Sequence, residues 1–272
     1  PNILAYLGAR LAGKPVLVTQ HVGEVPYRNP ALRFAVRAAN RIVGKLVLGG
    51  ACRVVFESAT VQRYFERFVR FRAAPVLIPN GVDTAHFRPA DNRAALRAQL
   101  GVPADRPLLL FIGRFVEKKG LPLLEELTAR MPQAHWLFAG WGPLDPSRWQ
   151  RANVTVLHSP APDEIAPLYQ AADLFVLPSV GEGIPLALQE AMACGTPALV
   201  GDETAAGVPG ADGVVLHEPP LDLARWEARI RSLIPELARM RPQVAAFARE
   251  HWSWERCAER YLELFQACAA SR

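Results

Sequence analysis

Val180-Gly181-Glu182-Gly183-Ile184-Pro185-Leu186-Ala187-Leu188-Gln189-Glu190-Ala191-Met192-Ala193-Cys194-Gly195-Thr196-Pro197 reads as a loop, a helix and a stop. Gly181 and Gly183 supply a flexible turn. Pro185 suits the first helical position, where its missing N–H is no loss. Gly195 and Pro197 end the helix. From Gly183 to Gly201 the only charged residue is Glu190. Acids are rarely buried without partners, so Glu190 either faces water or has something to bind. Glu182 precedes the helix, and Glu190 lies about 1.5 turns inside it, roughly 7 Å along the axis. Two carboxylates then flank a helix N-terminus, whose free N–H groups and dipole favour an anion. Carboxylates to accept from hydroxyls and a helix end for phosphate fit a sugar nucleotide.

Apolar runs alternate with helical segments on both sides of this stretch. Residues 108–112, 136–139, 154–157, 173–177, 198–200 and 213–216 read as strands, with helices from about 121, over 163–171, 221–234 and 243–249, and from 253 to about 267. That alternation predicts a parallel sheet wound on both sides. The polar residues of interest follow strands, where ligands of open α/β sheets collect. Gly113-Arg114 and Lys119 follow the first of these strands, and charge-assisted contacts from Arg and Lys suit a diphosphate. Both could equally be surface cations. Gly140-x-Gly142 follows the second strand and is a plain turn unless its neighbours make it more.

The first 90 residues carry a helix over 2–12, strands at 16–20, 53–56 and 76–78, and helices over 30–48 and 59–69. His21 closes the first strand; a lone histidine is usually structural. Arg33, Arg37, Arg41 and Lys45 recur every fourth residue, and no acid stands between Glu24 and Glu57. Such a row is either a solvated helix face or, with Arg28 and Arg53 in a basic 28–53 segment, a contact for an anionic membrane. Asn80-Gly81 marks a turn, and Asp91–Pro107 reads as a linker.

The 272 residues suit one large or two ordinary domains, and half of them are apolar. The net charge of +5 points to an anionic partner without naming it; nucleic acid is not expected. There is no run of about 18 apolar residues that would span a membrane. Cys52, Cys194, Cys257 and Cys268 lack metal or redox spacing, which suggests a reducing cytoplasm. Neither an Asp-x-Asp motif nor a metal-spaced histidine cluster is present.

The residues E-G-x-P-L-x-x-x-E-A-M-A-C-G-T-P resemble the nucleotide-sugar motif of retaining glycosyltransferases with the GT-B fold, of the group 1 or family 4 type. G-R-x4-K-G at 113–120, G-x-G at 140–142, P-N-G-V-D-x-x-x-F-x-P at 79–89 and S-W-E at 253–255 extend the resemblance over nearly the whole chain. It implies two Rossmann-like lobes with a cleft between them. Their bounds would be 1–90 for the acceptor side, 91–250 for the nucleotide-sugar side, and 251–272 for a helix crossing back. It implies that Glu190 holds the ribose, that Glu182 and His21 lie against the transferred sugar, and that Arg114 and Lys119 hold the diphosphate in place of a metal. Gly113, Gly140, Gly142, Gly183, Ile184, Pro185 and Leu186 would complete the donor site. Ile184 stands where the family usually has an aromatic residue. No cofactor is implied, and the acceptor would be a glycan or lipid-linked hydroxyl, reached in the cytoplasm or on the inner face of the membrane. The family's opening strand and glycine-rich loop are not found ahead of Pro1, so the first lobe is expected to be incomplete and to expose strand edges. A non-catalytic nucleotide-sugar binding module remains the alternative, with an epimerase or phosphorylase of similar fold behind it.

Overall fold

The computed structural model describes residues 3–23, 29–219 and 221–270. The chain forms two compact units, each described by itself: the first holds the chain up to Gly81 with 206–208 and the segment from Trp254, the second Val82–Ala205 and Pro209–Ser253.

In the first unit, α1 (Ile3–Leu11), β1 (Leu17–Gln20), α2 (Pro30–Gly50), β2 (Arg53–Phe56), α3 (Ala59–Glu66) and β3 (Val76–Leu77) follow in order. Asn29 starts α2 by accepting from the Ala31 and Leu32 N–H groups, with Pro30 at the first helical position. Ser58 caps α3 through the Thr60 N–H. The strands form a parallel sheet in the order β1-β2-β3, with Leu17 opposite Arg53 and Val55 opposite Val76. Strand alternation sends Val54 and Phe56 to one face, where they pack with Leu48 of α2 and Val61 and Phe65 of α3. Val55 and Ile78 pack on the other face with Cys257, Tyr261 and Leu264 of the closing helix. Emptying a site such as Phe65 would cost about 3–5 kcal/mol.

The second unit runs α4 (Arg93–Gln99), β4 (Leu108–Arg114), α5 (Leu121–Arg130), β5 (His135–Trp141), β6 (Val154–His158), α6 (Pro162–Ala171), β7 (Leu174–Leu177), α7 (Leu186–Ala193), β8 (Ala198–Gly201), α8 (Asp202–Ala205), β9 (Leu216–Glu218), α9 (Leu223–Leu233) and α10 (Leu237–Trp252). Its sheet is parallel throughout, in the order β6-β5-β4-β7-β8-β9. The winding direction reverses between β4 and β7. Strands at such a reversal part their outgoing loops, leaving a crevice at their C-terminal ends. The helix α11 (Trp254–Ala270) belongs to the first unit.

Several sequence expectations need correction. Residues 91–107 are no linker. Arg97 of α4 is buried and donates to Asp173 Oδ2 and to the Pro103 and Arg106 carbonyls, so the segment is built into the second unit. The units part at 81/82 and 253/254, not at 90 and 250. Val82 forms a β-bridge to Ser253 and donates to the Trp252 carbonyl, which draws the second half of P-N-G-V-D into the second unit. The last strand is 216–218 and not 213–216: Gly213 turns the chain at φ +75°, and the Val214 and Val215 N–H groups bond back to Ala211. The helix expected at 243–249 runs from Leu237 to Trp252, through Pro242. Position 2 of the first expected helix and Arg28 of the basic segment lie outside the described residues.

Candidate functional site

Three glycines shape the C-terminal ends of β4 and β5. A Cβ at Gly140 would lie 1.9 Å from the Gly113 carbonyl oxygen, and one at Gly142 would lie 2.4 Å from that of Phe115. Only residues without side chains let the two strand ends approach so closely. The room at Gly140 and Gly142 is thus filled by the neighbouring backbone. Gly113 is more open, its Cβ position lying 3.5 Å from the Phe111 ring and 4.0 Å from Lys119 Cε.

Beyond Arg114 the chain makes a 3-10 turn at Glu117–Lys119 and reverses at Gly120, where φ is +81°. A Cβ there would fall 2.4 Å from Pro178 Cγ, so the loop after β4 is pressed against the loop after β7. The Val180 N–H donates to the Lys118 carbonyl at 2.9 Å and joins the two loops directly. Across this junction Lys119 Nζ donates to Glu182 Oε2 at 2.7 Å. Both side chains are mostly enclosed, 14% and 13% exposed. Lys118, which looks merely solvated in the sequence, is half exposed but lies 3.7 Å from Glu182 Oε1. The Glu203 carboxylate accepts from the Gly181 N–H at 2.8 Å and fixes the turn ahead of Glu182.

Glu182 leads through Gly183 and the buried Ile184 into α7. Pro185 is the residue before the helix, not its first: its ψ is +137° and α7 starts at the exposed Leu186. No side chain caps this N-terminus, which keeps its first N–H groups available to an anion.

Further along α7, Glu190 accepts a hydrogen bond from Tyr169 Oη at 3.0 Å. Burial pushes the Glu190 carboxyl above its usual value; the Tyr169 hydroxyl and the nearby His86 pull it part of the way back. Burial and the Glu190 charge together raise the Tyr169 phenol well above its ordinary range, so it stays a donor. Burial pushes the Cys194 thiol, at the end of the same helix, up to about 12. A thiol held so high is not a nucleophile.

Arg114 is exposed and lines a cavity of about 350 Å³ together with Gly113, Gly140, Trp141, Ser159, Pro160 and Ile165. Ser159, on its rim, adopts a left-handed φ of +48°, uncommon for a residue with a Cβ. A larger cavity, about 660 Å³, lies at the opposite ends of β4 and β7, around Arg93, Arg97 and Asp173. Asp173 there accepts from both arginines and from the Leu108 N–H. The cavity's place at the N-terminal strand ends is against the crevice rule.

On the first unit, His21 follows β1 and its Nδ1 pairs with Glu57 Oε1, just beyond β2. A carboxylate held against Nδ1 fixes the orientation of the imidazole ring. Among the described residues no group of three or more His, Cys, Asp or Glu is placed to hold a metal ion. No helix there is long and apolar enough to cross a membrane.

The structure therefore joins Lys119 to Glu182, sets Gly113 beside Lys119, and gathers Arg114, Gly113 and Gly140 around one cavity. Tyr169, Glu203 and Glu57 escaped the sequence reading. Glu57 left the clearest signal, as the acid that ends the acid-free run directly after a strand. Tyr169 looks like any core aromatic, and only the fold reveals its pairing.

Two family models match the chain: Glycosyltransferase Family 4 over residues 1–86 and Glycosyl transferases group 1 over residues 106–235. The chain is 32% identical to a D-inositol 3-phosphate glycosyltransferase of Kineococcus radiotolerans over 88% of its length and 62% of the relative's. A protein of the same name from Segniliparus rotundus is 32% identical over 70% of the chain and 46% of its own length. The chain thus spans about half to three-fifths of these relatives. Among solved structures, a sucrose-phosphate synthase from Thermosynechococcus elongatus superposes with a TM-score of 0.77 at 26% identity, covering 98% of this chain and 72% of that one. Anabaena Alr3699/HepE in complex with UDP-glucose shares the fold at a TM-score of 0.77 and 20% identity, over 97% of this chain and 76% of that one.

Proposed function

The chain belongs to the GT-B glycosyltransferases, of the group 1 and family 4 type, and on that premise we propose that it moves a sugar from a nucleoside diphosphate sugar to a hydroxyl with retention at the anomeric carbon. The observation that carries this reading is the Lys119–Glu182 pair, clasped across the sheet's reversal point beside the uncapped start of α7. A lysine ammonium has three donors. One holds Glu182, and the others can take phosphate oxygens. Glu182 and Glu190, as carboxylates, accept from hydroxyls of the transferred sugar and of the ribose. Arg114 sits at the mouth of the Trp141 cavity, whose size suits a nucleobase. His21 keeps the sugar contact that the resemblance gives it.

In the reaction the bond from the anomeric carbon to the diphosphate breaks, and the acceptor oxygen bonds the same carbon from the same face. The acceptor's proton passes to the departing phosphate. Charge grows on that phosphate as the bond breaks. In this reading Lys119, Arg114 and the α7 N–H groups donate to that charge, and preorganised donors of this kind are a main source of rate enhancement. These cations fill the place a metal would have, and no cofactor is assigned. The acceptor is a hydroxyl on a glycan or a lipid-linked intermediate.

A thermal-shift panel of UDP-, GDP- and ADP-glucose, with release of the nucleoside diphosphate followed in parallel, tests this. The true donor raises the melting temperature. Glu190→Ala and Lys119→Met should each weaken it by roughly tenfold to a hundredfold, the loss of one charge-assisted hydrogen bond at about 1.5–3 kcal/mol. A donor shift unchanged in both variants would refute the site. Binding without any release would favour the binding module over the enzyme.

A further inference from the structure

Eight of the sixteen exposed large apolar residues among those described fall within the first fifty positions: Leu4, Leu7, Leu11, Val22, Leu32, Phe34, Ile42 and Leu46. On α2 they are ordered. Phe34, Ala38, Ile42 and Leu46 follow at steps of four, and Phe34 and Ile42 are 75% and 70% exposed. Arg33, Arg37, Arg41 and Lys45 form a second row at the same step, one residue earlier, and all four are exposed. One residue is about 100° of helix rotation, so the two rows run side by side along α2.

The inner side of the same helix is fully used. Gly44, Val47 and Leu48 are buried, and a Cβ at Gly44 would already touch the Phe65 ring at 3.3 Å. The apolar row is therefore surplus to the core. On α1, Leu4, Leu7 and Leu11 share a face and are exposed, while Tyr6 anchors that helix against Gly50 at the end of α2. From Asn29 to Phe56 the chain has five cations and no acid. A helix with apolar side chains beside a row of Arg and Lys lies in the interface of a bilayer, with its cations on lipid phosphates. The absence of acids on α2 selects an anionic surface, since nothing there repels it.

We propose that the α2 face made by Phe34, Ile42, Leu46 and the Arg33–Lys45 row docks the protein on an anionic lipid surface. The α1 leucines add apolar area to the same unit. The face holds no residue assigned to the donor, so this surface stands or falls apart from the sugar-transfer reading.

Flotation of the full chain with vesicles of phosphatidylcholine alone, or with about one-third phosphatidylglycerol, tests it. Binding should require the anionic lipid and fall as salt is raised. Each cation near the surface contributes about fivefold in affinity, so R33Q/K45Q, with the partnered Arg37 kept, should lose roughly twenty-five-fold. Arg41 is left in place because its guanidinium lies 6.0 Å from the Phe68 ring centre. Phe34→Ser with Ile42→Ser should also remove most of the binding. Both side chains are exposed, so its melting temperature should stay that of the parent. Equal binding to neutral and anionic vesicles, or binding to neither, would overturn the proposal. So would a concentration-dependent dimer that the Phe34/Ile42 double variant abolishes, since a second copy would then cover the face.

Discussion

Replacing Tyr169 by phenylalanine removes one oxygen and leaves the ring contacts with Phe87 and Phe175 in place. The oxygen lost is the donor to Glu190 at 3.0 Å. A hydrogen bond from a neutral donor to an ionised carboxylate contributes about 1.5–3 kcal/mol, and one to a neutral carboxyl about 0.5–1.5 kcal/mol. The cost of Tyr169→Phe therefore depends on whether Glu190 carries its charge. Burial raises the Glu190 carboxyl above its unfolded value. A group raised on folding adds stability below its unfolded pKa and loses that contribution as pH rises through its folded pKa. Tyr169 moderates that loss. Without the hydroxyl, the variant should lose stability more steeply on going from acid to neutral pH than the parent does. Urea unfolding at acid and neutral pH reads this directly: about 1.5–3 kcal/mol of destabilisation at neutral pH, and about 1 kcal/mol once Glu190 is protonated. At neutral pH the variant should also bind the donor more weakly, its carboxylate being harder to ionise. An equal destabilisation at both pH values would refute the coupling between the phenol and the carboxylate.

Two glycine substitutions test opposite extremes of the room around a Cβ. Gly140→Ala drives a Cβ to 1.9 Å from the Gly113 carbonyl and should cost about 2–3 kcal/mol by overpacking; Gly8→Ala, with nothing within 4 Å of its Cβ on α1, should be neutral or stabilise by about 0.5–1 kcal/mol in the same melt. At the far end of the sheet, burial alone would raise the Asp173 carboxyl, but the Leu108 N–H, Arg93 and Arg97 together hold it below its usual value. Its contribution is then present above the unfolded pKa and is lost as pH falls through the folded one. Asp173→Asn should cost about 3 kcal/mol at neutral pH and flatten the acid limb of the stability profile.

Much of the architecture was legible because the signals were local. Strand β2 starts and ends at the residues the sequence reading assigns it, 53 and 56. The pairing of Lys119 with Glu182 could be approached only through the resemblance, since the two are far apart in the chain and nothing in either stretch encodes the other. The linker reading of 91–107 failed because its polarity is local, whereas the burial of Arg97 is decided by Asp173, distant in sequence. Tyr169 stayed hidden for the same reason. The 213–216 error arose from an apolar run that reads as strand, while the left-handed turn at Gly213 delays pairing to Leu216.

The contact between Gly140 and the Gly113 carbonyl separates the walls of the 350 Å³ cavity into two kinds of position. One kind is occupied by main chain and cannot accept any larger residue. The other consists of lining residues that carry side chains, among them Trp141, Ser159 and Ile165. A designer testing the donor proposed above would leave the glycine floor intact and build a small library at those three sites. Because the floor is made of backbone against backbone, changes above it should alter what the cavity takes while leaving the approach of the two strand ends where it is.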